Sequence, residues 1–197
     1  MTIGIIILAA GASRRFGGQA KQLLPVEGKT LIRRIAETAL AAQLSGPIAV
    51  VLGANQELIA AELADLPVQL LDNPDWAEGM STSLKTGLTA FNRTHPTLDA
   101  VVVLLCDQPL ITPELIRQLT VAFVETGKLM IACRYNGGVG VPALFARPIF
   151  ADLLALDGDK GARYLLQKRK TDVAEVDFEP AAIDLDSWDD VANWTKL

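Results

Sequence analysis

Apolar segments alternate with helical patterns, and the apolar segments lack a polar face. Together these two features predict a three-layer α/β/α sandwich on a mostly parallel sheet covered on both sides. The chain has 197 residues, 50% of them hydrophobic, which suffices for one such domain with a sizeable core. No repeat, low-complexity tract or linker divides it. Residues 1–197 are therefore read as a single domain with two halves, about 1–110 and about 111–197.

Residues 3–9 are rich in β-branched side chains and run into Ala10-Gly11-Ala12-Ser13, which predicts a buried strand entering a glycine turn. Leu31, Ile35, Ala39 and Ala42 have helical spacing, with Arg33, Arg34 and Glu37 on the other face and Thr30 placed as N-cap. Residues 48–52 are the second strand, closed by Gly53; 57–64 are helical; 68–71 are a short third strand before the break at Asn73-Pro74-Asp75. Leu84, Leu88 and Phe91 mark the buried face of another helix, and 100–106, the most apolar stretch, is the expected central strand. Thr112-Pro113-Glu114 supplies an N-cap, a proline at the first helical position and an early acid. Leu115, Leu119 and Val124 continue that helix, and 129–133 form the next strand. The glycine-rich stretch 136–142 reads as loop and excludes regular helix. Helical patterns resume over 149–156 and 161–168, and a last strand and helix cover 173–196.

A net charge of −5 and a pI of about 4.9 argue against a nucleic-acid partner, which calls for a basic face. A local basic cluster can still serve a small anionic substrate. Cys106 and Cys133 each end an apolar stretch and have no Cys or His companion at ligand spacing, so both are expected as buried thiols rather than a disulfide or zinc site. His95 is the only histidine and precedes Pro96 in a polar stretch, which makes triad chemistry improbable. The first apolar run is too short to span a membrane and has no basic region before it, so a cytoplasmic protein without a membrane partner is expected.

In an open parallel sheet, ligands bind beyond the carboxyl ends of the strands. Three segments there carry polar chemistry. In residues 8–21, Leu8-Ala9-Ala10-Gly11 leads to Ser13, and Arg14, Arg15 and Lys21 set cations beside glycines that can approach a phosphate. Neither the GK[ST] ending of a Walker A loop nor G-x-G-x-x-G is present. The plainer alternative is a glycine turn with solvated basic residues. Asp107 follows the central strand, where a carboxylate beside a phosphate loop suits Mg²⁺; a turn or capping aspartate is the alternative. Asp184 and Asp186 alternate along an extended segment and point to one side. One of them could complete a metal site, and Asp186 or Ser187 could instead cap the last helix.

The run Leu8-Ala9-Ala10-Gly11-x-Ser13-x-Arg15-Phe16-Gly17 with Lys21-x-Leu23-Leu24-Pro25 resembles the MobA-like nucleotidyltransferases, and their molybdenum cofactor cytidylyltransferase branch in particular. Gly79, Ser83, Asp107-Gln108-Pro109, Gly140-x-Pro142, Gly158-Asp159-x-Gly161-Ala162-Arg163 and Asp184-x-Asp186-Ser187 extend the resemblance in order to about residue 191. Two departures stand out: Val141 occupies a position where family members often carry histidine, and Gly17 to Lys21 is one residue longer than in many members.

The resemblance implies a Rossmann-like nucleotide-diphospho-sugar transferase fold, with a nucleotide-binding first half and an acceptor-binding second half. It places Leu8, Ala9, Ala10, Gly11, Ser13, Asn73 and Ser83 at the nucleotide, Arg15 and Lys21 on the triphosphate, and Asp107 with Asp184 or Asp186 on Mg²⁺. Gly140, Pro142, Asp159 and Arg163 would border the acceptor. The implied reaction transfers CMP from CTP to molybdopterin or its molybdenum-loaded form and releases pyrophosphate. Guanylyl transfer, sugar- or polyol-phosphate nucleotidyl transfer, and a non-catalytic nucleotide-binding partner of a molybdoenzyme remain alternatives. A molybdoenzyme is also the client the resemblance admits. Alanine at the Ala10 position accompanies cytidine use in the family, and glycine accompanies guanosine use.

Overall fold

The computed structural model describes residues 1–194. In chain order the elements are β1 (Ile3–Leu8), β2 (Pro25–Val26), β3 (Lys29–Thr30), α1 (Leu31–Ala41), β4 (Ile48–Leu52), α2 (Gln56–Ala61), β5 (Gln69–Asp72), α3 (Met80–Thr94), β6 (Ala100–Leu105), α4 (Pro113–Thr126), β7 (Met130–Tyr135), β8 (Gly138–Ala146), α5 (Phe150–Leu154), α6 (Ala162–Lys168), β9 (Val173–Asp177) and α7 (Trp188–Trp194).

The main sheet has the order β5-β4-β1-β6-β8-β7-β9, with β8 as the antiparallel member. Every residue of β1 is buried, because both of its faces are covered. Two apolar layers flank the sheet. One packs Ile5, Ile7, Val50, Val102 and Leu104 against α1 and α4; the other packs Ile6, Val51, Val101 and Val103 against α3, α5 and α6. Chain order runs outward from β1 through β4 to β5, then returns to β6 on the other side of β1. The strand order therefore reverses beside β1, and the crevice at such a switch point is where an open sheet offers space to a ligand.

The main elements agree with the sequence-based expectations, with two corrections. Residues 136–142 are not a loop throughout. Asn136 and Gly137, with φ of 49° and 68°, form a tight hairpin turn, and β8 begins at Gly138. Glycine and proline composition hid a nine-residue strand whose inner half is buried between β6 and β7. Val124 lies within α4 as expected and is 65% exposed. Five residues past the buried Leu119 is about 140° around a helix, off the stripe that touches the sheet. The 57–64 and 149–156 helices are shorter than expected, at Gln56–Ala61 and Phe150–Leu154. The final helix is described to Trp194; the remainder of the expected 173–196 span, residues 195 and 196, lies outside the described residues. No helix among the described residues is long and apolar enough to cross a membrane.

Candidate functional site

Leu8 stands opposite Leu105 in register, so the chain leaves β1 and β6 side by side at the carboxyl edge of the sheet. The two exits frame a cleft of about 400 Å³. Leu8, Ala9, Ala10, Gly11 and Ala12 form one wall, Leu105 to Asp107 the floor, and Trp76, Ala77, Gly79, Met80 and Ser83 the opposite wall. Arg14, Lys21, Gln22 and Asp159 complete the lining. The size and the mixture of apolar wall with a few charges suit a nucleotide-sized ligand.

The turn after β1 is held from behind by Gln22, whose side chain is fully buried. Its Nε2 donates to the carbonyls of Ala9 at 2.9 Å and Gly11 at 2.8 Å. The Ser13 hydroxyl donates to Gln22 Oε1 at 3.1 Å and accepts from the Lys21 backbone N–H at 2.9 Å. Among the described residues, the N–H groups of Ala10, Gly11 and Ala12 have no backbone or side-chain acceptor. Unpaired donors on a cleft wall are costly unless water or a ligand satisfies them.

Charge converges on the floor. Lys21 Nζ lies 2.5 Å from Asp107 Oδ2 and 2.6 Å from Asp186 Oδ1, with Lys21 and Asp107 side chains only 15% and 14% exposed. Arg15 reaches Asp186 at 3.6 Å from the solvent side. Burial alone would lower the Lys21 ammonium, but the Asp107 charge, with the hydrogen bonds Lys21 donates to Asp107 and Asp186, outweighs it and raises the group above the ordinary lysine range. Asp107 Oδ1 is buried without a hydrogen-bond partner, an oxygen left for a cation or donor that the protein itself does not supply.

Asp186 arrives from far along the chain because the Leu185 N–H donates to the Asp107 carbonyl at 2.9 Å, while the Leu185 side chain is buried with Phe16, Leu24, Val26 and Leu31. Ser187 caps α7, accepting from Asp190 N–H at 3.3 Å, so of the two candidates for the cap it is Ser187 that fills it. Asp184 lies at the exposed rim, yet neighbouring protein encloses its carboxyl. Burial, followed by the Asp107 and Asp186 charges, pushes it up to about 6. Among the described residues, no three acids, histidines or cysteines close into a metal-ligand cluster; Asp107 and Asp186 meet through Lys21, and Asp184 does not join them.

On the far wall Ser83 is buried, and the amide of Asn73 donates to its hydroxyl at 3.0 Å. Asn73 thus stands behind Ser83 and does not line the cleft. Trp76 and the Ala10 methyl both lie close against Gly53, and both line the cavity. Gly79, at φ 120°, lies against the Gly158 backbone, where a β-carbon would come within 2.4 Å, and Ser81 N–H donates to Gly158 O at 3.1 Å. This contact brings Asp159 to the cleft, while Arg163, Gly140 and Pro142 stand outside its lining. Gln108 is buried and ties β8 to the C-terminal segment, donating to Val141 O at 3.1 Å and Ala181 O at 2.9 Å.

Sequence reasoning did not single out Gln22, Trp76 or Met80. A glutamine between Lys21 and Leu23 carries no signal of burial, and Trp76 and Met80 lie in a segment that reads only as a chain break. Cys106 and Cys133 are buried, and burial pushes both thiols up to about 12, so neither is a reactive thiolate. His95 is exposed at the end of α3 and does not line the cleft.

Residues 5–173 match the family model of the MobA-like NTP transferase domain. The nicotine blue oxidoreductase of Paenarthrobacter nicotinovorans is 30% identical over 194 residues, covering 92% of this chain and 91% of that protein. The molybdenum cofactor cytidylyltransferase of Escherichia coli is 28% identical, covering 95% of this chain and 93% of the relative. Among solved structures, a manganese complex of the Mycobacterium tuberculosis protein Rv0371c superposes with a TM-score of 0.81 at 29% identity, covering 100% of this chain and 99% of that one.

Proposed function

The chain belongs to the MobA-like NTP transferase family, and from that premise we propose that it transfers CMP from CTP to a molybdopterin-type acceptor. The fold is of the Rossmann-like nucleotide-diphospho-sugar transferase type. The observation that carries the reading is the juxtaposition of three unpaired backbone N–H groups at Ala10, Gly11 and Ala12 with the Lys21–Asp107–Asp186 cluster on the floor of one cleft.

In this reading an acceptor phosphate oxygen attacks the α-phosphorus of CTP. The bond to the bridging oxygen breaks, and pyrophosphate leaves with that electron pair. A phosphate nucleophile is already ionised near neutral pH, so no side chain needs to take its proton. The turn N–H groups, Arg15 and Lys21 hold the phosphates and oppose the charge that gathers in the transition state. Lys21 has alternative anionic partners in this scheme, the two carboxylates or the phosphates. Leu8 to Gly11 and Ser83 border the base and sugar, with Ser13 and Asn73 as supports. Asp159 faces the acceptor, and Gly140, Pro142 and Arg163 form the outer border.

The partnerless Asp107 Oδ1 beside Asp186 fits a divalent cation, and we assign Asp107 and Asp186 to hold Mg²⁺. Bound there, the ion would neutralise phosphate charge. A solved relative that carries manganese supports divalent-metal use in this family.

The oxidoreductase relative, at 30% identity over nearly its whole length, motivates a second reading in which the cleft takes a redox substrate. One experiment separates the two. Pyrophosphate release is measured with each of the four nucleoside triphosphates and Mg²⁺, with molybdopterin and with sugar phosphates as acceptors. Nicotinamide-cofactor oxidation by a dye acceptor is followed in parallel. Molybdopterin-dependent pyrophosphate release with CTP is the expected result. Dye reduction without pyrophosphate release would overturn the transferase reading.

A further inference from the structure

We propose that Gln22 is the positioning residue of the phosphate-binding turn: by holding the Ala9 and Gly11 carbonyls inward, it aims the N–H groups of Ala10 and Ala12 into the cleft. The proposal deepens the nucleotidyl-transfer reading and rests on it for the identity of the anion.

The argument begins with peptide geometry. In a trans peptide the C=O of one residue and the N–H of the next point in opposite directions. The cis bond among the described residues is Val141–Pro142, so the peptides of this turn are trans. Gln22 Nε2 donates to Ala9 O and Gly11 O, which fixes the faces of the 9–10 and 11–12 peptides. The N–H groups of Ala10 and Ala12 must then face away from Gln22, and both residues line the cavity. The intervening Ala10 carbonyl is held separately by the Ala54 N–H at 3.1 Å. Gln22 Oε1 receives the Ser13 hydroxyl, which in turn accepts from the backbone of Lys21. One fully buried amide therefore sets the orientation of the turn and, through Ser13, is tied to the residue carrying the buried ammonium.

A glutamine kept merely as core filler would be replaceable by an apolar side chain of equal length. Burying an amide is expensive unless its bonds are made, and here all three bonds go to the turn or its side chain. A carboxylate at the same position would fail differently, because two carbonyl oxygens cannot donate to it.

The test uses inorganic tripolyphosphate and cytidine as separate probes, titrated calorimetrically into the wild-type chain, Gln22→Met and Gln22→Glu. Methionine preserves length and volume without the hydrogen bonds. Tripolyphosphate affinity should fall about tenfold or more in both variants, the loss of one to two kept bonds. Cytidine affinity should fall by a smaller factor than tripolyphosphate affinity, because a nucleoside without phosphates has no anion for the Ala10 and Ala12 N–H groups to hold. Unchanged tripolyphosphate affinity in Gln22→Met, or an equal loss for both probes, would overturn the assignment. If Gln22→Met does not fold, the amide resonances of the wild-type protein decide: tripolyphosphate should shift Ala10 and Ala12, and shifts confined to other residues would refute it. Tripolyphosphate binding at the turn without pyrophosphate release from any triphosphate would sink the transferase reading and leave this one standing.

Discussion

The turn after β1 and the segment around Gly158 face each other across one cleft but are held by different physics. The turn is braced by a fully buried glutamine and lies beside an ammonium shared by two carboxylates. The Gly158 side docks through a backbone hydrogen bond and a close glycine contact, and its polar residues, Asp159 and Arg163, are exposed. Buried polar bonds fix geometry, whereas exposed side chains on a docked loop can change without disturbing the core. Within the proposed reaction this contrast makes the phosphate side invariant in shape and the acceptor side adjustable. Family relatives named for different substrates fit that division.

The sharpest way to break the contrast is Asp107→Ala. It removes the floor carboxylate with the partnerless oxygen, and turnover should fall about 100- to 1,000-fold, the range for preorganised electrostatic groups. Pyrophosphate release on a variant shown to be folded by circular dichroism checks this; full activity would reduce Asp107 to a structural anchor.

Lys21→Ala should weaken triphosphate binding about tenfold or more. It also strands the Asp107 carboxylate, only 14% exposed, without its cation, so the melting temperature should drop. Adding Asp107→Asn should recover much of that temperature while activity stays lost. A double variant no more stable than Lys21→Ala would mean that the ion pair is not what the single change disturbs.

The two C-terminal acids should separate. Asp186 touches Lys21 and Asp184 does not, so Asp186→Asn should reduce kcat/KM about tenfold further than Asp184→Asn, in line with one charge-assisted contact. Equal effects would place both acids in one site.

Ala10→Gly tests the wall itself. Ala10 lines the cavity with its methyl close to Gly53, and in the proposed reaction that methyl narrows the space for the base. CTP should exceed GTP in kcat/KM, and the variant should narrow that preference without reversing it, since one carbon is worth about 1–3 kcal/mol. A wild-type preference for GTP or ATP would remove the cytidyl assignment. The smallest effect is expected at Asp159→Ala, which should move the acceptor KM a few-fold (about 0.2–1 kcal/mol, as for an exposed ionic contact) and leave the nucleotide KM unchanged.

The sheet was legible because its strands are buried on both faces, so 3–9, 48–52 and 100–106 stand out as unbroken apolar runs. The site was legible where it sits at strand exits: Lys21, Asp107 and Asp186 come together as charged residues near chain turns. Gln22 was not, since burial of a polar side chain is decided by tertiary packing and leaves no local pattern. Nor was β8, whose glycines and Pro142 mimic a loop while its hydrogen bonds run to β6 and β7. Separating Asp184 from Asp186 needed the Leu185–Asp107 bond, which no spacing rule encodes.

That bond also sets when the site can exist. Lys21 meets Asp186 across 165 residues and Asp107 across 86, and the second carboxylate is delivered by a segment near the end of the described chain. A ribosome-bound chain shorter than 186 residues lacks Asp186. Such long-range contacts close late, because the intervening loops must be ordered first. Full charge at the floor of the cleft thus requires that synthesis has passed residue 186 and that the last segment has docked.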